Sequence, residues 1–419
     1  MFFFYKILTN LIFIFSPVII FIRLLNKKEH PTRFKEKLGF YSKKKLFGKL
    51  VWFHGASVGE ILSIIPLVEK LEKNRKIKQI LITSNTLGSS SILSNLKLKK
   101  TVHQFFPIDT NYLTQKFLDY WKPSTAIFID SEIWPNMITN IKKKQISLIL
   151  INARITDKSY KRWKIFSSNA KNLFQKFDIC LSSNLKSRKY LKSLGAKKIK
   201  FIGNLKFSES ENYKNDKNNL NNGLKKFFLS KKIWCASSTH EVEEKICADI
   251  HKKLKLKHKN LLTIIIPRHI HRIKQITNEL KKLNLKIHIH NSKESINDKT
   301  DIYLVNTFGE TKSFFKICKT VFLGGSVIEH GGQNPLEAAR YGCKILHGPN
   351  IWNFDEIYAL LKKYKVSNKI QNPNQLALRI NKLLNYKKNS KNLELKIKNL
   401  GNKILNSTLN EVNLYIDKQ

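Results

Sequence analysis

Short runs of apolar residues alternate with amphipathic stretches along most of the chain. The runs predict two sets of strands, at residues 50–53, 79–83, 102–106, 125–129, 147–151 and 178–181, and at residues 232–236, 261–266, 286–288, 302–305, 321–323 and 344–346. Helical patterns lie between most of them, which is typical of parallel sheets covered by helices on both faces. The sequence therefore predicts an α/β protein with two doubly wound domains.

A polar run at residues 208–226 separates the two sets of strands and is the best candidate for a domain boundary. We place the first domain at residues 29–205 and the second at residues 206–385. The Leu/Ile/Lys-rich segment at residues 386–419 has a helical pattern. It is predicted to form a C-terminal helix that packs back on the first domain.

Polar turns follow the predicted strands of the first half, and ligands bind beyond the carboxyl ends of strands in such sheets. The turns HGASVGE, TSNTLGSS and DSE place Glu60, Asp130 and Glu132 at this edge, and Asn152 follows another strand. A carboxylate there can deprotonate a hydroxyl nucleophile. Charge compensation at a helix N terminus explains an acid equally well, so for Glu60 both interpretations remain open.

The stretch VFLGGSVIEHGGQNPLEAARYG, at residues 321–342, joins a predicted strand to two glycine pairs. The first pair, Gly324 and Gly325, is expected to leave room for the close approach of a ligand. Asn334 is a favoured N-cap and Pro335 a favoured first helical residue, so a helix is predicted to begin at Pro335 with Glu337 in its first turn. The turn and the helix start would expose unpaired N–H groups and form an anion site. An ordinary strand-to-helix crossover is the alternative. Arg268, at another strand end, is a natural phosphate clamp.

Composition narrows the classes of partner. The chain carries 77 Lys+Arg against 30 Asp+Glu, a net charge of +47, which favours anionic partners. It contains neither a paired Cys/His finger nor an RNP-type motif, so we expect no nucleic acid. Its five cysteines are scattered and indicate reduced thiols. The histidines match no standard ligand spacing, so no metal site is predicted.

Residues 1–28 are mostly apolar and long enough to span a bilayer or to lie in its interface. No small-x-small cleavage site follows, and Arg23, Lys27 and Lys28 lie on the distal side. We therefore predict an uncleaved membrane anchor, with the rest of the chain on the cytoplasmic face of the inner membrane. The basic segment at residues 32–41 is expected to lie near the head groups.

Eight motifs occur in order along the chain: HGASVGE, SEIWPN, INARIT, GNLKF, STHEVEE, PRH, GE and GGSVIEHGGQNPLEAA. Together with the apolar N terminus they resemble the 3-deoxy-D-manno-octulosonic acid (Kdo) transferases of lipopolysaccharide synthesis, over residues 1–385. The resemblance implies the GT-B fold, in which two Rossmann-like domains face a cleft. It also implies inverting, metal-independent transfer of Kdo, without a cofactor, from CMP-Kdo to the phosphorylated lipid A precursor lipid IVA at an anionic membrane surface.

The resemblance assigns roles motif by motif. Glu60 would be the general base, Asp130 would fill a position where the family commonly has glutamate, and Lys206 would stabilise charge in the transition state. The residues that would hold CMP are Pro267, Arg268, Phe308, Gly309, Glu310, Asn334, Pro335, Leu336 and Glu337.

Two other functions stay open. A GT-B enzyme that uses a UDP-sugar, or an epimerase, would share the fold and the glycine-rich loop but would not need the SVGE and SEIWPN motifs together. A basic, non-enzymatic protein that binds a membrane surface or nucleic acid would explain the charge and the N terminus, but not the polar strand ends.

Overall fold

The structure is a computed structural model that describes residues 2–210, 220–291, 296–307, 309–385 and 390–418. The chain divides into two compact units, Met1–Asn215 with Leu400–Gln419, and Asp216–Asn399. The division falls inside the polar run.

In the described part of the first unit, seven parallel strands form one sheet in the order β3-β2-β1-β4-β5-β6-β7. The strands are β1 (Leu50–His54), β2 (Gln79–Ser84), β3 (Thr101–Phe105), β4 (Thr125–Ile129), β5 (Ser147–Ala153), β6 (Ile179–Ser182) and β7 (Ile199–Phe201). The helices are α1 (Phe2–Leu25), α2 (Val58–Glu72), α3 (Leu87–Ser94), α4 (Asn111–Trp121), α5 (Pro135–Lys143), α6 (Asp157–Ile165), α7 (Ser167–Phe174) and α8 (Leu185–Ser193).

Local sequence explains these elements. Every residue of β1, β2 and β4 is buried, as expected for parallel strands with both faces covered. Five of the helices begin after a Ser, Thr or Asn whose side chain accepts a backbone N–H of the first turn, namely Ser57, Thr86, Thr110, Thr156 and Asn184. Each of these helices therefore begins shortly after a strand ends, which places the polar turns at the carboxyl edge of the sheet.

The second unit repeats the architecture. In its described residues seven parallel strands lie in the order β10-β11-β9-β8-β12-β13-β14. They are β8 (Lys232–Thr239), β9 (Leu261–Pro267), β10 (Ile287–Ile289), β11 (Ile302–Leu304), β12 (Thr320–Leu323), β13 (Lys344–His347) and β14 (Ser367–Lys369). The helices are α9 (Asn222–Leu229), α10 (Glu243–Lys255), α11 (Ile273–Lys281), α12 (Thr311–Ile317), α13 (Leu336–Arg340), α14 (Asp355–Lys363), α15 (Pro373–Leu383) and α16 (Ser390–Ile416).

The two parallel sheets confirm the predicted doubly wound α/β class. Each predicted strand matches an observed one to within one to three residues at either end. The short strands β7 and β14 lie outside the twelve predicted runs, and the residues of β14 contain no apolar run.

The last residues of α16 belong to the first unit. Gly401 packs against the backbone of Phe207 so closely that a β-carbon would overlap the Phe207 carbonyl oxygen. Farther along, Glu411 pairs with Lys200 at 2.7 Å, and Lys49 Nζ donates to the Ile416 carbonyl oxygen at 2.6 Å. These contacts fix the end of the chain to the first unit.

Candidate active site

Glu60 lies in the first turn of α2, at the carboxyl end of β1. Its Oε2 accepts hydrogen bonds from Ala56 N (2.6 Å) and Ser57 N (3.3 Å), and its own N–H donates to Ser57 Oγ at 3.3 Å. This reciprocal pair is a capping box. Glu60 therefore caps the N terminus of α2, which is one of the two interpretations that the sequence left open.

Besides this capping role, the environment of Glu60 changes the pKa of its carboxyl group. The pKa of Glu60 is raised to about 7, first by burial and then by the negative charges of Glu132 and Asp130, while the hydrogen bonds of Ser57 act in the opposite direction. A carboxylate that only caps a helix has its pKa lowered by the helix N terminus. A raised pKa beside other acids is instead what a general base near neutral pH needs.

Glu132, beside Glu60, lies close to a tryptophan and a histidine side chain. Its Oε2 accepts from Trp134 Nε1 at 2.7 Å and lies 3.3 Å from His54 Nε2. The fully buried His54 ring stacks on Phe106 with centroids 3.8 Å apart, and its Nδ1 lies 2.9 Å from Thr83 Oγ1. The charge that raises the pKa of Glu60 is therefore fixed in place. Sequence analysis missed His54, although it opens the HGASVGE motif.

Asp130 is buried and has a left-handed backbone, with φ of 58°. Burial raises the pKa of Asp130, the positive charges of Lys206 and Arg154 lower it, and Glu132 raises it. The structure thus brings the two cations to this carboxyl group. Aspartate adopts left-handed backbone more readily than most residues, which gives a physical reason for the shorter acid here.

Lys206 sits on a 3-10 helix over Leu205–Phe207. Leu205 N donates to Asn152 Oδ1 at 2.9 Å, and Lys206 N donates to Asn204 Oδ1 at 3.0 Å. Asn152 is itself left-handed, with φ of 51°, at an irregularity in the pairing of β5. Its side chain positions the turn that carries Lys206, whereas the sequence suggested only that Asn152 lines the site. Lys206 belongs to the first unit, with Glu60 and Asp130.

The pH dependence of activity tests the electrostatics of this group. If ionised Glu60 is the base, kcat/KM should rise with pH through an apparent pKa of about 7. Glu132→Gln removes a neighbouring negative charge, so the acidic limb should move to lower pH. Glu72→Gln, a substitution at the far end of α2, is the matched control and should not move it. An acidic limb unchanged in Glu132→Gln would contradict the assignment.

In the second unit the loop after β12 differs from the prediction. The buried carboxylate of Glu243 accepts hydrogen bonds from the N–H groups of Gly325 (2.7 Å), Ser326 (3.3 Å) and Val327 (3.2 Å), and also from His240 N at 3.0 Å. The expectation that this first part of the loop exposes unpaired N–H groups is wrong, because an internal anion occupies them. Burial nevertheless raises the pKa of Glu243.

Close packing, and not a ligand, requires glycine at the position of Gly324. A β-carbon there would overlap the Ser238 carbonyl oxygen and lie 2.6 Å from Thr239 Cα and 2.7 Å from Glu243 Oε2. The glycine lets β12 approach the end of β8, where Ser238 has φ of 56°. Room for a ligand was therefore the wrong explanation of this residue.

The helix after the second glycine pair begins one residue later than predicted. Leu336 is the first residue of α13 and Pro335 is its N-cap, while Asn334 Oδ1 accepts the N–H of Leu336 at 3.1 Å. The Leu336 N–H, predicted to face a phosphate, is thus capped by Asn334. Glu337 lies in the first turn, half-buried.

Arg268 and Glu310 lie at two other strand ends of this unit. Arg268 is exposed, and none of the residues that the structure describes forms an ion pair with it. Its N–H donates to the Thr239 carbonyl oxygen at 2.9 Å, so its backbone is tied to β8, and Pro267 ends β9. The side chain is therefore available to an anion.

Glu310 is held from two sides. Its Oε2 lies 2.7 Å from His290 Nε2 and accepts from Thr307 Oγ1 at 2.7 Å, and His290 Nδ1 lies 2.6 Å from the Tyr303 hydroxyl. Gly309, next to it, is exposed with φ of 86°. Sequence analysis did not find the role of His290, which follows β10. Phe308 lies outside the described residues.

Three histidine rings lie close together in this unit, and the charge of Arg268 acts on two of them, His240 and His269. The His240 ring lies 4.2 Å from that of His330 and 5.5 Å from that of His269. The pKa of His240 is lowered to about 4, first by burial and then by the positive charges of its neighbours. His240 is therefore neutral near pH 7. Over the described ranges, no three His, Cys, Asp or Glu side chains are grouped so that they could hold a metal ion.

The fold is shared with solved structures. UDP-bound MnaA of S. aureus has a TM-score of 0.57 at 14% identity and is matched over 88% of this chain and 97% of its own. The UDP-N-acetylglucosamine 2-epimerase of Rickettsia bellii has a TM-score of 0.52 at 14% identity, over 88% of this chain and 98% of its own. At this identity the likeness shows the fold, so the class is a GT-B α/β protein.

Sequence comparison gives the family within that class. A family model described as 3-deoxy-D-manno-octulosonic-acid transferase (kdotransferase) matches residues 32–209. The 3-deoxy-D-manno-octulosonic acid transferase of Rickettsia bellii is 34% identical over 403 residues, 94% of each chain. The probable mitochondrial transferase of Arabidopsis thaliana is 31% identical, over 86% of this chain and 83% of its own. The chain belongs to the Kdo transferase family, as the motifs predicted, and is a glycosyltransferase that transfers Kdo in lipopolysaccharide synthesis.

Proposed function

We propose that the protein moves Kdo from CMP-Kdo to a hydroxyl group of lipid IVA, with Glu60 as general base and without a metal ion or cofactor. The observation that carries the proposal is the raised pKa of Glu60, at a strand end, beside Glu132 and Asp130. Membership of the family identifies the sugar as Kdo, and this group of side chains would deprotonate the acceptor hydroxyl.

In the proposed step the Glu60 carboxylate takes the proton of the acceptor hydroxyl. The acceptor oxygen then forms a bond to the anomeric carbon of Kdo, while the bond from that carbon to the phosphate oxygen breaks. CMP leaves with the electron pair, and attack from the opposite face inverts the anomeric centre. Lys206 stabilises the developing negative charge, and Asp130, close to both Lys206 and Arg154, holds these cations in place.

The second unit supplies the donor site of this proposal. Arg268, exposed and without an ion pair among the described residues, would take the phosphate of CMP in a charge-assisted contact. The carboxylates of Glu310 and Glu337 would accept hydrogen bonds from the nucleoside. His290 and Thr307 keep Glu310 oriented for this role. Pro267, Gly309, Asn334, Pro335 and Leu336 would shape the site, and Phe308 remains a residue predicted from its motif.

The proposed acceptor is a phosphorylated lipid in an anionic membrane. The net charge of +47 favours encounter with such a surface. Helix α1 is long and apolar enough to cross a membrane by length and composition. We place the protein at the cytoplasmic face of the inner membrane for these reasons.

Nucleotide binding tests the donor. CMP should raise the melting temperature of the full chain, and UDP should not. Arg268→Ala removes a charged hydrogen bond, worth about 1.5–3 kcal/mol, so the Kd for CMP should rise about 10- to 100-fold. Arg379→Ala, at an exposed arginine on α15 of the same unit, is the control and should bind CMP like the wild type. Stabilisation by UDP rather than CMP would favour a UDP-sugar enzyme and contradict the proposal.

A further inference from the structure

Helix α1 is held against the first unit along one stripe. The residues on this side recur every three or four positions, and Thr9, Ser16 and Ile20 among them are buried. Tyr5 and Phe13 continue the stripe and are half-buried. This spacing is one face of an α-helix. The helix is therefore docked lengthwise, with hydroxyl groups on its inner side.

The first end of the helix is fixed by a buried carboxylate. The Tyr5 hydroxyl donates to Asp109 Oδ2 at 2.7 Å, and the same carboxylate accepts the backbone N–H groups of Asn136 (3.1 Å) and Met137 (2.8 Å). Asn136 Nδ2 also donates to Thr9 Oγ1 at 3.3 Å. Asp109 is only 3% exposed, so these partners replace its water.

The second end is fixed by ion pairs. Arg23 Nε donates to Glu29 Oε2 at 2.9 Å, and Lys37 Nζ approaches Glu29 Oε1 to 2.7 Å. Lys37 lies on a 3-10 helix over Arg33–Leu38, whose buried Glu36 accepts Phe105 N at 2.7 Å. Arg33 and Lys37 of this basic segment pair with Glu36 and Glu29, so these two cations also stabilise the fold.

The outer side of α1 is apolar and exposed. Twelve large apolar side chains among the described residues of the helix are at least 41% exposed, and one row of them along this side consists of Ile7, Leu11, Ile14, Val18 and Leu25, which are 42% to 68% exposed. No charged residue occurs between Lys6 and Arg23, and Lys6, Lys27 and Lys28 are exposed at the two ends. A continuous apolar face of this size marks an interaction site, and cations at its ends complement anionic lipid head groups.

We infer that α1 lies in the plane of an anionic bilayer, with its outer face in the acyl boundary and its inner stripe on the first unit, instead of crossing the bilayer. The two fixed ends, Tyr5 and Arg23, are roughly 27 Å apart at about 1.5 Å per residue. A crossing helix would place this whole length in a hydrocarbon core about 30 Å thick. In the docked arrangement the side of the first unit that packs on the helix, including Asn136 and the buried Asp109, would have to enter that core, and polar or charged groups there cost several kcal/mol.

If the protein has the proposed function, this orientation also determines where the acceptor meets the acids. Asp109 connects Tyr5 to the start of α5, directly after Glu132 and Trp134 in the chain. The membrane plane is thereby fixed relative to the loop that carries Glu132. The depth at which a lipid-borne hydroxyl meets the acids is set by the helix.

Depth measurement tests the orientation without reference to transfer activity. The five native cysteines are all buried, so single cysteines introduced at Ile7, Leu11, Ile14, Val18 and Leu25, one per variant, can be labelled selectively. Each full-length variant, carrying a fluorophore, is reconstituted into phosphatidylethanolamine–phosphatidylglycerol vesicles with nitroxide lipids at two depths. All five labels should lie at one shallow depth, about 5–10 Å into the boundary.

The control is Leu378→Cys, at an exposed residue of the second unit, which should not be quenched. A depth profile that runs from one interface at Ile7, through the bilayer centre near Ile14, to the other interface at Leu25 would overturn the inference. Labels that remain unquenched at all five positions would overturn it as well.

Discussion

Glu60→Gln is expected to lower the rate of Kdo transfer by about 10²–10⁴-fold, the usual contribution of a general base. Glutamine keeps the size of the side chain and an oxygen for the Ala56 N–H, but it cannot take a proton at neutral pH. Transfer under single-turnover conditions measures the effect on chemistry. CMP should stabilise the variant as it does the wild type, because Arg268 and Glu310 belong to the other unit.

Stability separates this loss from unfolding. The pKa of Glu60 is raised to about 7 in the folded chain, so its stabilising contribution is present below the unfolded value near 4.5 and is lost as pH rises through 7. At pH 8 the glutamine variant should therefore be at least as stable as the wild type. A large drop in melting temperature at pH 8 would instead make Glu60 a structural residue.

Ser57→Ala is the matched control for capping. It removes the other half of the capping box and should cost about 1 kcal/mol of stability, with transfer close to that of the wild type. If Glu60 only caps α2, the two variants should lose activity to a similar and small extent. A general base requires that Glu60→Gln alone loses transfer.

Glu243→Ala should destabilise the second unit by at least about 3 kcal/mol and abolish CMP binding. The substitution leaves the N–H groups of Gly325, Ser326 and Val327 without their acceptor. Each buried donor left unsatisfied costs about 1–3 kcal/mol. Denaturant unfolding of the full chain, followed by CMP titration, measures both effects.

Glu241→Ala tests whether any nearby acid would give the same result. Glu241 is exposed on the same turn, so its removal should change stability by no more than about 0.5 kcal/mol. Equal stabilities of the Glu241 and Glu243 variants would show that the loop does not depend on the buried carboxylate.

Strands were predictable because parallel strands buried on both faces are apolar runs, and β1, β2 and β4 show this directly. Caps such as Ser57 and Thr110 were equally local signals. The strand β14 has no such signal. Its three residues, Ser, Asn and Lys, are held by pairing with β13.

The site was predictable only in part, because contacts between residues that are distant in sequence leave no local signal. Acids that follow a predicted strand can be recognised in the sequence, and Glu60, Asp130 and Glu132 were placed at one edge of the sheet on that ground. The Glu243 carboxylate meets the Gly325 loop across 82 residues of chain, and Asn152 meets Leu205 across 53. Nothing local in the sequence encodes such contacts, and the loop was therefore predicted to be open.

The most direct test of the account is transfer by the wild-type chain in vesicles that contain lipid IVA. CMP-Kdo is generated in situ because it is labile, and EDTA is added once the donor has formed. The account predicts that Kdo appears on lipid IVA with release of an equal amount of CMP, and that Glu60→Gln slows formation of this product about 10²–10⁴-fold. Transfer that stops with EDTA and returns with Mg²⁺, or no transfer from CMP-Kdo at all, would contradict it.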